Sequence, residues 1–163
     1  MGMTLPGELE RLLNDLGFTW PEVDEEDLFD VGGDWMSFGS AVTQSHQSGS
    51  QAVQTLLQSN QSDALQSFTT SLDQQNSPLS VLGDAGTGVQ VVGGALFVAG
   101  GIVIGLKVNT MINLITLMCE IISAIAEAAP TFGASLAEIP VFKEITNRII
   151  NGIVNEVVNA IMS

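Results

Sequence analysis

Residues 89–106 read VQVVGGALFVAGGIVIGL, eighteen residues in which Gln90 is the one polar side chain. The glycines fall as the pairs Gly93-Gly94 and Gly100-Gly101, followed by Gly105. As a helix rising about 1.5 Å per residue, the segment spans roughly 27 Å, close to the ~30 Å hydrocarbon core of a bilayer. The step from Gly101 to Gly105 is a GxxxG spacing, which lets helices approach closely in membranes. Two readings compete, a membrane segment and the buried central helix of a bundle. No tryptophan or tyrosine and no cluster of cations flanks the run to anchor or orient it in a bilayer. Each glycine costs a water-exposed helix about 1 kcal/mol, yet permits tight helix-on-helix packing in a core. The bundle reading is therefore preferred, with Gly93, Gly94, Gly101 and Gly105 as a central packing surface.

The neighbouring sequence extends this pattern. A helical pattern runs over residues 79–129, interrupted by Lys107, Asn109, Thr110 and Asn113, until Pro130-Thr131-Phe132-Gly133 breaks it. A second apolar stretch, residues 111–126, could pair with the first as a membrane hairpin. A last helix is expected from near Pro140 to Met162. Ile145, Ile149, Ile150, Ile153, Val154, Val157, Val158 and Ile161 form an apolar stripe on it, and Asn147, Asn151, Asn155 and Asn159 step along another face.

The N-terminal side is different. Residues 8–34 hold ten acids and one base, whereas residues 35–78 hold only Asp63 and Asp73 among Gln, Ser and Thr. Phe38, Val42, Ser45, Gly49, Ala52 or Val53 and Leu56 recur at steps of three and four, so this polar tract reads as a helix with one narrow seam. A first helix is expected over residues 6–15, with Leu5, Leu9, Leu12, Leu13 and Leu16 on one face and a stop at Gly17. Asp24 is an N-cap, and Glu25, Glu26 and Asp27 complement the positive end of a long helix running to about Ser59. Ser59-Asn60-Gln61 forms a turn, Ser62 caps a return helix bearing Ala64, Leu65, Phe68 and Leu72, and Asn76-Ser77-Pro78 ends it. The fold expected is all-α: a single helical domain, residues 1–163, with a polar helical hairpin over 4–78 joined to a bundle of long apolar helices over 79–163.

Composition excludes several functions. The 163 residues carry a net charge of −14, and the only cations are Arg11, Lys107, Lys143 and Arg148, so neither nucleic acid nor an anionic lipid surface is attracted. Cys119 is the single cysteine and is expected to be a buried free thiol. The single histidine, His46, lies in a polar helix without other ligands, and the acids at 24–30 lack the loop and glycine turn of a calcium site. Residues 84–88, DAGTG, lack the Gly-Lys-Ser/Thr ending of a phosphate loop. No serine has an evident base partner. The expectation is no enzyme, no metal and no cofactor. The start of the chain lacks the basic and apolar regions of a signal peptide, so a route out of the cell without one is expected, or an association with the cell envelope.

The string LPGELERLLNDLGFTW at residues 5–20, followed by Pro21-Glu22, an acidic helix start at Asp24 and Trp35, carries a resemblance. It is similar to the start of the N-terminal domain of the mycobacterial outer membrane channel protein that bears a necrosis-inducing toxin, a domain grouped with the WxG-like substrates of type VII secretion. The resemblance implies a long helical hairpin that serves as an export and partner-binding module, as leader or companion of a polymorphic toxin. In this chain the tryptophan motif is Trp35-Met36-Ser37 rather than Trp-x-Gly, and no tyrosine exists to form the Tyr-x-x-x-Asp/Glu export signal. A helical partner or a further segment would then supply that signal. Leu9, Leu12, Leu13, Trp20, Trp35 and Phe38 are expected to hold the entry hairpin. Trp35 and Phe38, one turn apart, pin two helices together or meet a partner helix. The expected partners are proteins, in a homo- or hetero-oligomer or in the secretion machinery, with a membrane as the alternative. A pore-forming protein inserting residues 79–129 and a self-assembling structural subunit are the competing functions.

Overall fold

The computed structural model describes residues 2–60, 62–131 and 133–162. Gln61 of the expected turn and Phe132 of the expected break lie outside the described residues. Among the described residues the fold is all-α, with α1 (Gly7–Asp15), α2 (Glu25–Ser59), α3 (Asp63–Leu72), α4 (Pro78–Ala126) and α5 (Ile139–Met162), and a short 3₁₀ turn at Ala134–Glu138 before α5.

The helix ends follow local chemistry. Gly17 takes φ +87°, its N–H bonds the Asn14 carbonyl at 2.9 Å, and the Phe18 N–H bonds the Leu13 carbonyl at 3.2 Å. These are the two bonds of a Schellman stop, with Phe18 and Leu13 as its apolar contact. The Asp24 carboxylate accepts the Glu26 N–H at 3.0 Å at the start of α2, and Ser62 accepts the Leu65 N–H at 3.2 Å at the start of α3. Pro78 does not extend the break after α3. It is the first residue of α4, where proline needs no intrahelical N–H partner, and Ser77 accepts the Ser80 N–H at 3.1 Å. In α2, Ser40, Thr43, Ser45, Thr55 and Ser59 return their hydroxyls to carbonyls four residues back, which satisfies a polar helix that has few charges.

α4 is continuous for 49 residues, about 74 Å at 1.5 Å per residue. The anticipated hairpin between the two apolar stretches is therefore absent from the described residues, because no helix breaker separates Leu106 from Met111. Nor is the run 89–106 buried all round. Val91 and Val98 are 66% and 63% exposed, and the buried positions are Gly93 and Gly100. A helix packed along one line buries a stripe, not its circumference. That stripe repeats every seven residues through Gly86, Gly93, Gly100, Lys107 and Leu114, and α2 buries Glu25, Gly32 and Gly39 at the same interval.

The chain forms two compact units, Leu28–Val98 and Met1–Asp27 with Ala99–Ser163. The divisions fall within α2 and α4. In the first unit, α2 and α4 run antiparallel with glycine backbones in contact. A Cβ on Gly93 would lie 2.9 Å from the Gly32 carbonyl oxygen, and one on Gly39 would lie 3.1 Å from the Gly86 carbonyl oxygen. The side chain one turn beyond each glycine fills the space over the opposing glycine. Met36 and Thr43 of α2 cover Gly93 and Gly86, and Phe97 and Gln90 of α4 cover Gly32 and Gly39. Phe29 stacks at a tilt on Phe97, with ring centroids 5.8 Å apart. The expected seam of α2 is shifted as a result. Val42, Gly49 and Val53 lie on the half-buried side, while Phe38, Ser45 and Leu56 are exposed. Where two backbones must approach, the smallest residues set the contact line.

The second unit has an ordinary apolar core of Leu9, Leu13, Leu16, Leu114, Leu117 and Ile150, lined by Leu12, Phe18, Trp20 and Met111. Asn147 of α5 donates to the Leu16 carbonyl at 2.7 Å, and Asn151 donates to the Asn147 side chain at 2.8 Å. The asparagine row thus begins as a tether to the end of α1. The α5 stripe also divides, with Ile150 buried and Ile145, Ile149, Val158 and Ile161 exposed. Cys119 is exposed, contrary to expectation, because it points off the line of Leu114, Leu117 and Ala124.

Candidate partner-binding surface

The residues singled out from the sequence separate into three groups. Leu9 and Leu13 are buried and Leu12 packs beside them, which makes α1 a core element of its unit. Trp20 is fixed rather than free. Its indole Nε1 donates to the Met3 carbonyl at 3.1 Å, and the Lys107 ammonium lies 5.9 Å from the ring centroid.

Lys107 is the residue that sequence reasoning passed over. It interrupts an apolar helical pattern, yet it is only 2% exposed. Its Nζ donates to a Glu25 carboxylate oxygen at 2.6 Å and to the Val23 carbonyl at 2.7 Å. The Met3 N–H donates to the other Glu25 oxygen, and the Gly2 N–H donates to Asp24 at 2.8 Å. The Lys107 hydrogen bond, followed by that from Met3, holds the Glu25 carboxyl below its ordinary range against the opposing effect of burial. Asp24 is likewise lowered, chiefly by the Gly2 N–H. This knot ties residues 2–25 to α4. The available signal was the seven-residue phase that Lys107 shares with Gly93, Gly100 and Leu114.

The glycines also divide. Gly93 is packed against Gly32 and Met36, whereas Gly94, Gly101 and Gly105 face open space, with nothing a Cβ would touch. Of these four, Gly93 is the one at which a Cβ would meet another helix of the chain. Gly105 lines an apolar groove of about 390 Å³ between α4 and α5, with Ile102, Leu106, Ile153 and Val157.

Trp35 and Phe38 do not pin two helices of this chain. They are 39% and 57% exposed and meet each other edge to face, with centroids 6.5 Å apart at 79°. Val31, one turn earlier on the same stripe, is exposed as well. The reason is the glycine seam: Gly32 and Gly39 turn toward α4, which carries 35 and 38 round to the outside. An aromatic pair with an aliphatic neighbour, open to solvent on a rigid helix, is the kind of surface that anchors protein interfaces. Among the described residues no group of three or more His, Cys, Asp or Glu side chains is placed to hold a metal ion.

No curated protein and no solved structure matches the chain. A family model described as a WXG100 like domain matches residues 6–149. Proteins of this kind are helical, are associated with type VII secretion and work in complexes with other proteins. The match takes in α1 to α4 and the first half of α5, and the long helical hairpin built by α2 and α4 fits it. The chain belongs to the WXG100-like family of helical proteins associated with type VII secretion.

Proposed function

We propose that this protein is a non-catalytic export module that travels with a helical protein partner, as leader or companion of a polymorphic toxin. The observation that carries the reading is the uncovered Trp35–Phe38 pair, an apolar anchor its own chain leaves open. Two features of the sequence support it. Residues 5–35 resemble the leading domain of a toxin-bearing mycobacterial channel protein, and the lack of tyrosine fits a protein whose export signal comes from its partner. The test is purification of the full chain from its native host, with the mass measured by light scattering. A defined complex whose secretion stops when the type VII ATPase is deleted is the expected result. A strictly monomeric chain recovered alone overturns the reading.

Membrane insertion is the second reading, and α4 motivates it. Its most apolar window has a mean hydropathy of 2.1, and only 11% of that window is buried within the chain. The inserting element would be one long helix rather than a hairpin. Dye release from liposomes, lost when Gly101 and Gly105 become leucine, would support it. A Cβ at either position meets nothing within 4 Å, but Gly105 lines the groove between α4 and α5, so the comparison uses variants whose helical circular dichroism matches that of the parent chain. Absence of release between neutral and acidic pH would sink it.

A further inference from the structure

The α2 surface also bears on what the partner is made of, an inference that rests on the partner-binding reading. Val31, Trp35 and Phe38 occupy one stripe at steps of four and three. Beside that stripe, on the side away from Gly32 and Gly39, the helix presents Asp30 and Asp34, four residues apart and both exposed. Over residues 28–98 the sequence has Asp30, Asp34, Asp63, Asp73 and Asp84 and no lysine or arginine. The aromatic anchor is therefore bordered by a carboxylate ridge in a compact unit that has no lysine or arginine of its own.

We propose that this face docks an amphipathic helix of a different protein, whose apolar stripe is edged by lysine or arginine. A second copy of the chain is a poor occupant. It brings the same carboxylate ridge, and three of its four cations already face acids: Lys107 lies 2.6 Å from Glu25, Lys143 3.8 Å from Asp15 and Arg148 3.0 Å from Glu144. An anionic bilayer is disfavoured by the same charge. A cationic edge would gain from the ridge within the screening distance of about 10 Å at 0.1 M salt, while Trp35 and Phe38 supply the buried contact.

The experiment uses the full chain and two labelled synthetic helical peptides sharing one leucine stripe, edged by lysine in the first and by glutamate in the second. Binding is followed by fluorescence anisotropy. The lysine-edged peptide should bind about tenfold more tightly at low salt, with the advantage shrinking severalfold at high salt. The double variant Asp30→Asn with Asp34→Asn should remove most of that advantage. Trp35→Ala and Phe38→Ala should each weaken both peptides by about tenfold, with the helical circular dichroism unchanged because both side chains are exposed. Equal affinity for the two peptides, or no effect of the double variant, overturns the charge assignment and leaves the partner reading standing. Binding insensitive to both aromatic variants overturns the face itself. Failure of the partner reading appears separately, as a lone monomer from the native host.

Discussion

The two compact units hold α4 to its neighbours by opposite means. Over Leu28–Val98 the contact is backbone against backbone, glycine facing glycine, and its stability comes from close approach rather than buried volume. In the unit built from the N-terminal segment, the second half of α4 and α5, leucines fill a core and a buried ion pair closes it. One seven-residue phase serves both along α4, with glycine at 86, 93 and 100 giving way to Lys107 and Leu114. A helix seam is thus a geometric line whose chemistry changes with the space available.

The comparison can be broken most severely at the ion pair. Lys107→Met leaves Glu25 buried without its counter-charge and should cost about 3–5 kcal/mol in urea unfolding. Adding Glu25→Gln should restore much of the loss; if the double variant is as unstable as the single one, the pair is not the source. In the glycine unit, Gly93→Ala places a Cβ 2.8 Å from Met36 Cγ and 2.9 Å from the Gly32 carbonyl oxygen. Because one obstacle is backbone, the helices must part, and a loss of about 1–3 kcal/mol is expected by the same measurement.

Acid should sharpen the contrast more gently. Glu25 has its folded pKa lowered, so its contribution is fully present above the ordinary glutamate value of about 4.3 and is lost as pH falls through the lower folded value. Asp24 acts in the same direction. Melting temperatures followed from neutral pH down to 3 should fall in that window, and Glu25→Gln should flatten the fall; an unchanged profile would remove Glu25 from the account. The smallest effect has the opposite sign. Gly94→Ala faces open space in a helix interior, so it should stabilise by about 0.5–1 kcal/mol, one residue away from a site where the same change destabilises.

Helix ends were legible because their causes are local. Gly17, Asp24 and Ser62 each act on backbone groups within a few residues, and the structure uses all three at helix ends, whereas Ser77, read as part of the stop after α3, caps the start of α4. Faces were less legible. A seam read from large side chains put Phe38 inside, when the true line runs through Gly32 and Gly39. Periodicity gives the interval but not the phase where the packed residues have no side chain to weigh. The candidate surface was half visible: Trp35 and Phe38 were named, and their exposure was not foreseen.

The sequence alone determined an all-α chain, most of its helix starts and a strongly acidic character, since capping, propensity and charge need no distant neighbour. Tertiary structure alone decided that Lys107 is buried, that Gly94, Gly101 and Gly105 stand open, and that Trp35 and Phe38 face outward. Each of those depends on which side of a helix meets another. For Trp35 and Phe38 the close approach of two backbones, at Gly32 with Gly93 and Gly39 with Gly86, fixes that side, and for Lys107 the contacts with Glu25 and Val23 do.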